Sequence, residues 1–139
     1  MSIMSAIFTK LSTTYTITNL VGVRIYPNTL PQAVRETNKF PAVMFEMVTN
    51  PQDHNMATDD TPEHPTIAIH SYGQTYQIAD DIRIQVITAF KDFSGTVTGS
   101  SSISFQRIFL NDSFDQYIAE TETHDLIINT ICWANRLII

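Results

Sequence analysis

The sequence predicts an α+β fold: a single domain in which a mixed or antiparallel β-sheet packs against one long central helix and a short N-terminal helix. Three observations carry this expectation. Apolar residues recur at helical spacing along one long stretch, at Ile78, Ala79, Ile82, Val86, Ala89, Phe90 and Phe93. On both sides of that stretch the apolar period falls to two, as in strands. The 139 residues hold no internal repeat, low-complexity tract or composition break, and a chain of that length can bury one core unaided.

The first element is a short amphipathic helix, with Ile3/Met4, Ile7/Phe8 and Leu11 on one stripe. Ser2 stands where an N-cap is wanted, and the Ser-Thr-Thr run marks an end near Ser12. Tyr15 to Val21 has a mixed pattern and takes no firm assignment. Gly22 leads into a strand at Val23–Tyr26, which Pro27 stops. Asn28 to Lys39 reads as an irregular connection carrying Pro31.

Phe40-Pro41 opens a strand at Ala42–Thr49. Its faces are Ala42/Met44/Glu46/Val48 and Val43/Phe45/Met47/Thr49, apolar on both sides, which suits a central position or a neighbouring subunit. Asn50 to Pro65 is proline-rich and acidic and has no apolar period, so it is expected to be a long loop. Thr66 to Tyr72 resumes as a strand, with Ile67 and Ile69 against Ala68, His70 and Tyr72.

The organising stretch runs from His70 to Phe93, with the helix itself around Gln77–Phe90. Asp80, Asp81, Arg83, Gln85 and Lys91 fall mostly opposite its apolar face, Gly73 breaks it from the strand before, and Gly95 closes it behind Phe93. Ser94 to Ser102 is small and turn-rich, a mobile loop or a hairpin tip. Ile103–Leu110 alternates as a strand that Asn111-Asp112-Ser113 should punctuate. Phe114 to Thr123 is indistinct. The last strand spans about Asp125–Ala134, followed by the partly apolar tail Asn135–Ile139.

Composition excludes more than it assigns. A net charge of −6 with eight scattered basic residues offers no stripe for gripping duplex DNA. The single cysteine, Cys132, rules out an internal disulfide and a cysteine-rich zinc site, and between Ile131 and Trp133 it reads as a small buried hydrophobe. The N-terminus lacks a positive n-region and a long apolar core, and no run approaches the ~18 apolar residues of a membrane span. A soluble protein of cytoplasmic origin, with no membrane partner, is the expectation.

The candidate chemistry is thin. His64 and His70 lie on one extended segment, roughly 20 Å apart at ~3.3 Å per residue, too far for a shared metal. His54 and His124 add no HxH or HExxH spacing. Asp80-Asp81 suit a helix N-terminus without any catalytic role, and Asp59, Asp60 and Glu63 sit in a solvated loop. No GxSxG, P-loop or dinucleotide fingerprint occurs, so no catalytic residue, metal or cofactor is expected. The polar loops offer assembly contacts instead: Asp53, His54, Asp59, Asp60 and Glu63 in one, Thr96, Thr98 and Ser100 in the other. Leu137, Ile138 and Ile139 form a C-terminal contact that wants a partner.

The order of elements carries a resemblance. A short N-terminal helix is followed by Gly22-Val23-Arg24-Ile25-Tyr26-Pro27, a proline-bearing connection and Phe40-Pro41-Ala42-Val43-Met44-Phe45. A polar loop, a strand, the helix around Gln77–Phe90, two late strands and a closing Trp133 complete it. From about Ala6 to Trp133 this resembles the tail-completion, or tail-terminator, proteins of long-tailed bacteriophages, minor tail proteins of the virion. The connection between Pro27 and Pro41 is longer than that pattern.

The resemblance implies a ring of six subunits on the head-proximal end of the tail tube. It would stop tube polymerisation, contact the tail tube protein and the neck or connector proteins, and let DNA pass through its lumen. It carries over no catalytic residue. The two polar loops would then become ordered on docking. The rival readings are a neck or head–tail connector protein, a small hydrolase using Asp80/Asp81 or a histidine, and a ligand-binding module with an apolar cavity beneath the main helix.

Overall fold

The computed structural model describes residues 3–30, 40–49, 64–98 and 102–137. Its helices are α1 (Ile3–Thr13), α2 (Tyr15–Val21) and α3 (Tyr76–Phe90). Its strands are β1 (Ile25–Pro27), β2 (Ala42–Thr49), β3 (Thr66–Gly73), β4 (Gly95–Thr98), β5 (Ser102–Ile118) and β6 (Thr123–Leu137). They form a single sheet in the order β1-β2-β3-β6-β5-β4. Only the β1–β2 pair is parallel, so the sheet is mixed. The expected α+β class is the observed one.

The helices lie together on one face, and the alternation of the strands shows why. Val43 and Phe45, Ile67 and Ile69, Ile103, Phe105 and Ile108, and Ile128 and Cys132 share one buried cluster with Ile7 and Leu11 of α1 and Ile17 of α2. Ile82, Val86 and Phe90 of α3 complete it, four and four residues apart on a single stripe. The opposite face holds a smaller apolar cluster of Leu30, Ala42, Met44 and Tyr72 with Tyr26, Phe40 and Ile118 against it. β2 is therefore apolar on both sides, as its sequence implied.

α3 begins where its chemistry places it. Thr75 adopts an extended conformation and its hydroxyl accepts from the Ile78 amide at 3.2 Å, an N-cap bond. Gly73, at the end of β3, lies so close that a Cβ there would stand 2.7 Å from the Ala79 nitrogen. The strand-to-helix corner needs glycine for space.

Four expectations are revised. Tyr15–Val21 is a helix, anchored by Ile17 and Val21 one turn apart and closed by Gly22 at φ 63°. β1 is shifted toward Pro27, and Val23, expected in the strand, is 91% exposed. Asn111-Asp112-Ser113 does not end β5. A register shift between Leu110 and Asp112 absorbs the extra residue as a bulge, and pairing with β6 continues to Ile118↔Thr123. β6 starts earlier and runs further than expected, so the backbone of Leu137 pairs with that of Ser102. Of the two alternatives for Ser94–Ser102, the hairpin holds: Gly95–Thr98 pairs with Phe105–Ser102.

A buried polar cluster and an open sheet edge as the candidate functional site

Four neighbouring strands each place one polar residue on the helix-free face. His70 of β3 stands at the centre. Its Nδ1 lies 3.0 Å from Asp125 Oδ2 of β6, and its Nε2 lies 3.1 Å from Glu46 Oε1 of β2. Gln116 of β5 donates from Nε2 to Asp125 Oδ2 at 2.7 Å, and the ring of Tyr72 stacks beside the imidazole at 5.8 Å. Asp125 is 1% exposed and His70 is 7% exposed, so a carboxylate is buried here against a histidine.

The charge state follows from those neighbours. Burial alone would lower the His70 pKa, but the hydrogen bonds and charges of Asp125 and then Glu46 outweigh it, so the imidazole titrates above its ordinary 6.5. Both ring nitrogens are held by carboxylates. A general base needs a free nitrogen facing a substrate, and His70 has neither one to spare. The cluster ties β2, β3, β6 and β5 together.

A second polar network lies on the helix side. Arg83 of α3 donates from Nη1 to Asp115 Oδ1 at 2.6 Å and from Nη2 to Asp80 Oδ1 at 2.7 Å. Tyr76 donates its hydroxyl to Asp115 Oδ2 at 3.0 Å, and Arg83 Nη2 also donates to the Tyr76 oxygen at 3.2 Å. This clamps the front of α3 onto the second half of β5. Tyr76 and Tyr117 both pack against the His124 ring, at 5.9 and 5.0 Å.

The residues singled out from sequence fall in separate places. Asp80 pairs with Arg83, whereas Asp81 accepts from Gln77 Nε2 at 2.9 Å; the two carboxylates do not converge on a pocket. His64, which precedes β3, stacks on Trp133 at 4.5 Å, away from His70. Among the described residues, no three His, Cys, Asp or Glu side chains are placed to hold a metal. Thr96 and Thr98 are exposed on β4, whose backbone pairs with β5. Asp53, His54, Asp59, Asp60, Glu63, Ser100, Ile138 and Ile139 lie outside the described residues. Cys132 is fully buried and burial pushes its thiol up to about 11, as befits a core hydrophobe.

A cavity of about 300 Å³ opens among Leu30, Phe40, Met44, Tyr72 and Ile118, with Glu120 and Thr121 among its polar walls. It lies on the helix-free face, not beneath α3, whose Ile82, Val86 and Phe90 are fully buried in the main core. No helix among the described residues is long and apolar enough to cross a membrane.

The fold and site thus define a single-sheet α+β protein whose buried polar residues serve the sheet. No protein-family model matches the chain, and no curated protein matches it by sequence. Its fold is similar to that of a chain from the virion of a native gene transfer agent particle, with a TM-score of 0.69 over 96% of this chain and 95% of that one. At 9% identity the two share the fold and little sequence.

Proposed function

We propose that the protein is a structural component of a phage-like virion, and more narrowly the terminator that caps the head-proximal end of a tail tube as a ring. The carrying observation is that the fold matches a virion chain over 96% of this chain and 95% of that one. The order of elements that resembles tail-completion proteins points the same way.

The geometry fits an assembly role. Among the described residues, the buried histidine has both nitrogens occupied, and three exposed aromatic residues, Tyr76, Phe114 and Tyr117, lie toward one end of the β5–β6 ribbon. Closing a ring by rotation needs two different patches per subunit, which limits growth in the plane of the ring.

The test in solution is to add the purified chain to its tail tube protein during polymerisation. The reading predicts tubes that stop growing, with a ring of density on one end. Tubes that lengthen normally and carry bare ends would refute the terminator assignment. Binding to a connector but not to tubes would move the protein to the neck.

A further inference from the structure

The two edges of the sheet are finished differently. At the β1 edge, Pro27 has no amide to offer, the Ile25 amide is turned back to the Val23 carbonyl at 2.9 Å, and Thr29 donates to the Pro27 carbonyl at 2.8 Å. That edge is closed by its own chain. At the other edge, β4 covers only Ser102–Phe105, and Asp92 and Phe93 exchange backbone bonds with Ile108. From Phe109 to Ile118 the outer side of β5 has no strand partner among the described residues.

This open edge carries a bulge at Leu110/Asp112 and two aspartates, but no proline and no lysine, and beyond the bulge it pairs with β6 without interruption to Ile118. Phe114 is 48% exposed and Tyr117 is 56% exposed, one on each face of the strand. Arg83 and Tyr76 tie Asp115 of this edge to α3.

Its charge says what fits. Between Arg107 and Arg136 there is no lysine or arginine, only His124, while Asp112, Asp115, Glu120, Glu122 and Asp125 all fall in that span. Arg83 answers Asp115 and His70 answers Asp125, whereas among the described residues Asp112 is met by the neutral amide of Asn129 at 2.8 Å, and Glu120 and Glu122 are exposed at the turn. A second copy, itself at −6, would bring like charge to this edge.

We infer that the outer edge of β5, from Phe109 to Ile118, is a docking site for an extended, basic segment of a different protein, added to the sheet as a seventh strand. Main-chain hydrogen bonds would supply affinity, Phe114 and Tyr117 would each seat an apolar side chain, one on either face of the added strand, and Asp112 with the turn glutamates would select lysine or arginine toward one end. This deepens the virion reading by giving the chemistry of one partner segment. It is tested on the isolated chain, so its failure leaves the virion assignment standing, and the reverse also holds.

The probe is a synthetic peptide of about ten residues, the length of the open edge, with valine and threonine on both faces over its central residues and lysines toward its ends. An acidic counterpart and a version with a central proline serve as controls. Binding is followed by amide hydrogen exchange and chemical shifts. The inference predicts that every second amide between Phe109 and Ile118 exchanges quickly in the free chain and slowly with the basic peptide. Phe114→Lys and Asp112→Lys should each weaken binding about tenfold and leave the far-UV spectrum and melting cooperativity unchanged. Equal binding of the acidic peptide, or protection confined to other strands, would overturn it. Concentration-dependent self-association abolished by Phe114→Lys would overturn it too, by placing a second copy on the edge.

Discussion

Replacing His70 by glutamine isolates the energetics of the buried cluster. The His70 side chain is 9% exposed and Asp125 is 1% exposed, whereas Glu46 is 41% exposed. The Asp125 arm therefore dominates, and the Glu46 arm is screened by solvent and adds little. His70→Gln leaves Asp125 buried with Gln116 as its remaining described side-chain donor. Removing one partner of a buried ion pair costs about 3–5 kcal/mol, and the Gln116 bond holds the loss near ~3 kcal/mol. At roughly 3 °C per kcal/mol for a domain of this size, melting should fall by ~10 °C.

The pH dependence gives the same site an independent sign. His70 binds its proton more tightly folded than unfolded, so its contribution is complete below 6.5 and is lost as pH rises through the raised folded-state value. Urea unfolding from pH 5.5 to pH 9 should show wild-type stability declining across that window and a flatter profile for His70→Gln. Asp125→Asn should cost about 1.5–3 kcal/mol, and the double variant should cost less than the two singles added. A His70→Gln protein within about 0.5 kcal/mol of wild type, or one keeping the full alkaline decline, would refute the reasoning.

Other perturbations test the packing. Gly73→Ala would push a Cβ to 2.7 Å from the Ala79 backbone, and we expect a loss of about 1–3 kcal/mol in denaturant titrations; an unchanged midpoint would mean that α3 is free to move. Phe90→Ala, at a position with no exposure, should cost about 3–5 kcal/mol by the same assay, and a loss under about 1 kcal/mol would contradict its place in the core. The Cys132 thiol, pushed up to about 11, should resist an aromatic disulfide reagent at pH 8 until the chain is unfolded, and rapid native-state labelling would contradict its burial.

The parts of the fold that sequence revealed are those with a long apolar signal. α3 shows its stripe over 15 residues, and β2 and β3 are eight-residue runs rich in apolar groups on both faces. α2 is only seven residues with two buried anchors, too few to distinguish a helix from a short strand. β5 was cut short because Asn111-Asp112-Ser113 has turn chemistry, which an exposed edge strand with a bulge tolerates.

The polar cluster was only half visible. Glu46 and His70 each interrupt an otherwise apolar strand face, and Asp125 opens a strand of buried residues. That signal marks each as unusual but does not join them. His70 and Asp125 are 55 residues apart in sequence and His70 and Glu46 are 24 apart, and strand register alone brings them together. The open edge was invisible for a related reason: whether a strand has a neighbour depends on the order of the sheet.

The most direct test of the terminator assignment is electron microscopy of a lysate from a phage lacking this gene. The assignment predicts overlong tails beside filled, tailless heads. Normal-length tails that fail to join heads would place the protein in the neck instead, and intact infectious particles would contradict a structural role in the virion altogether.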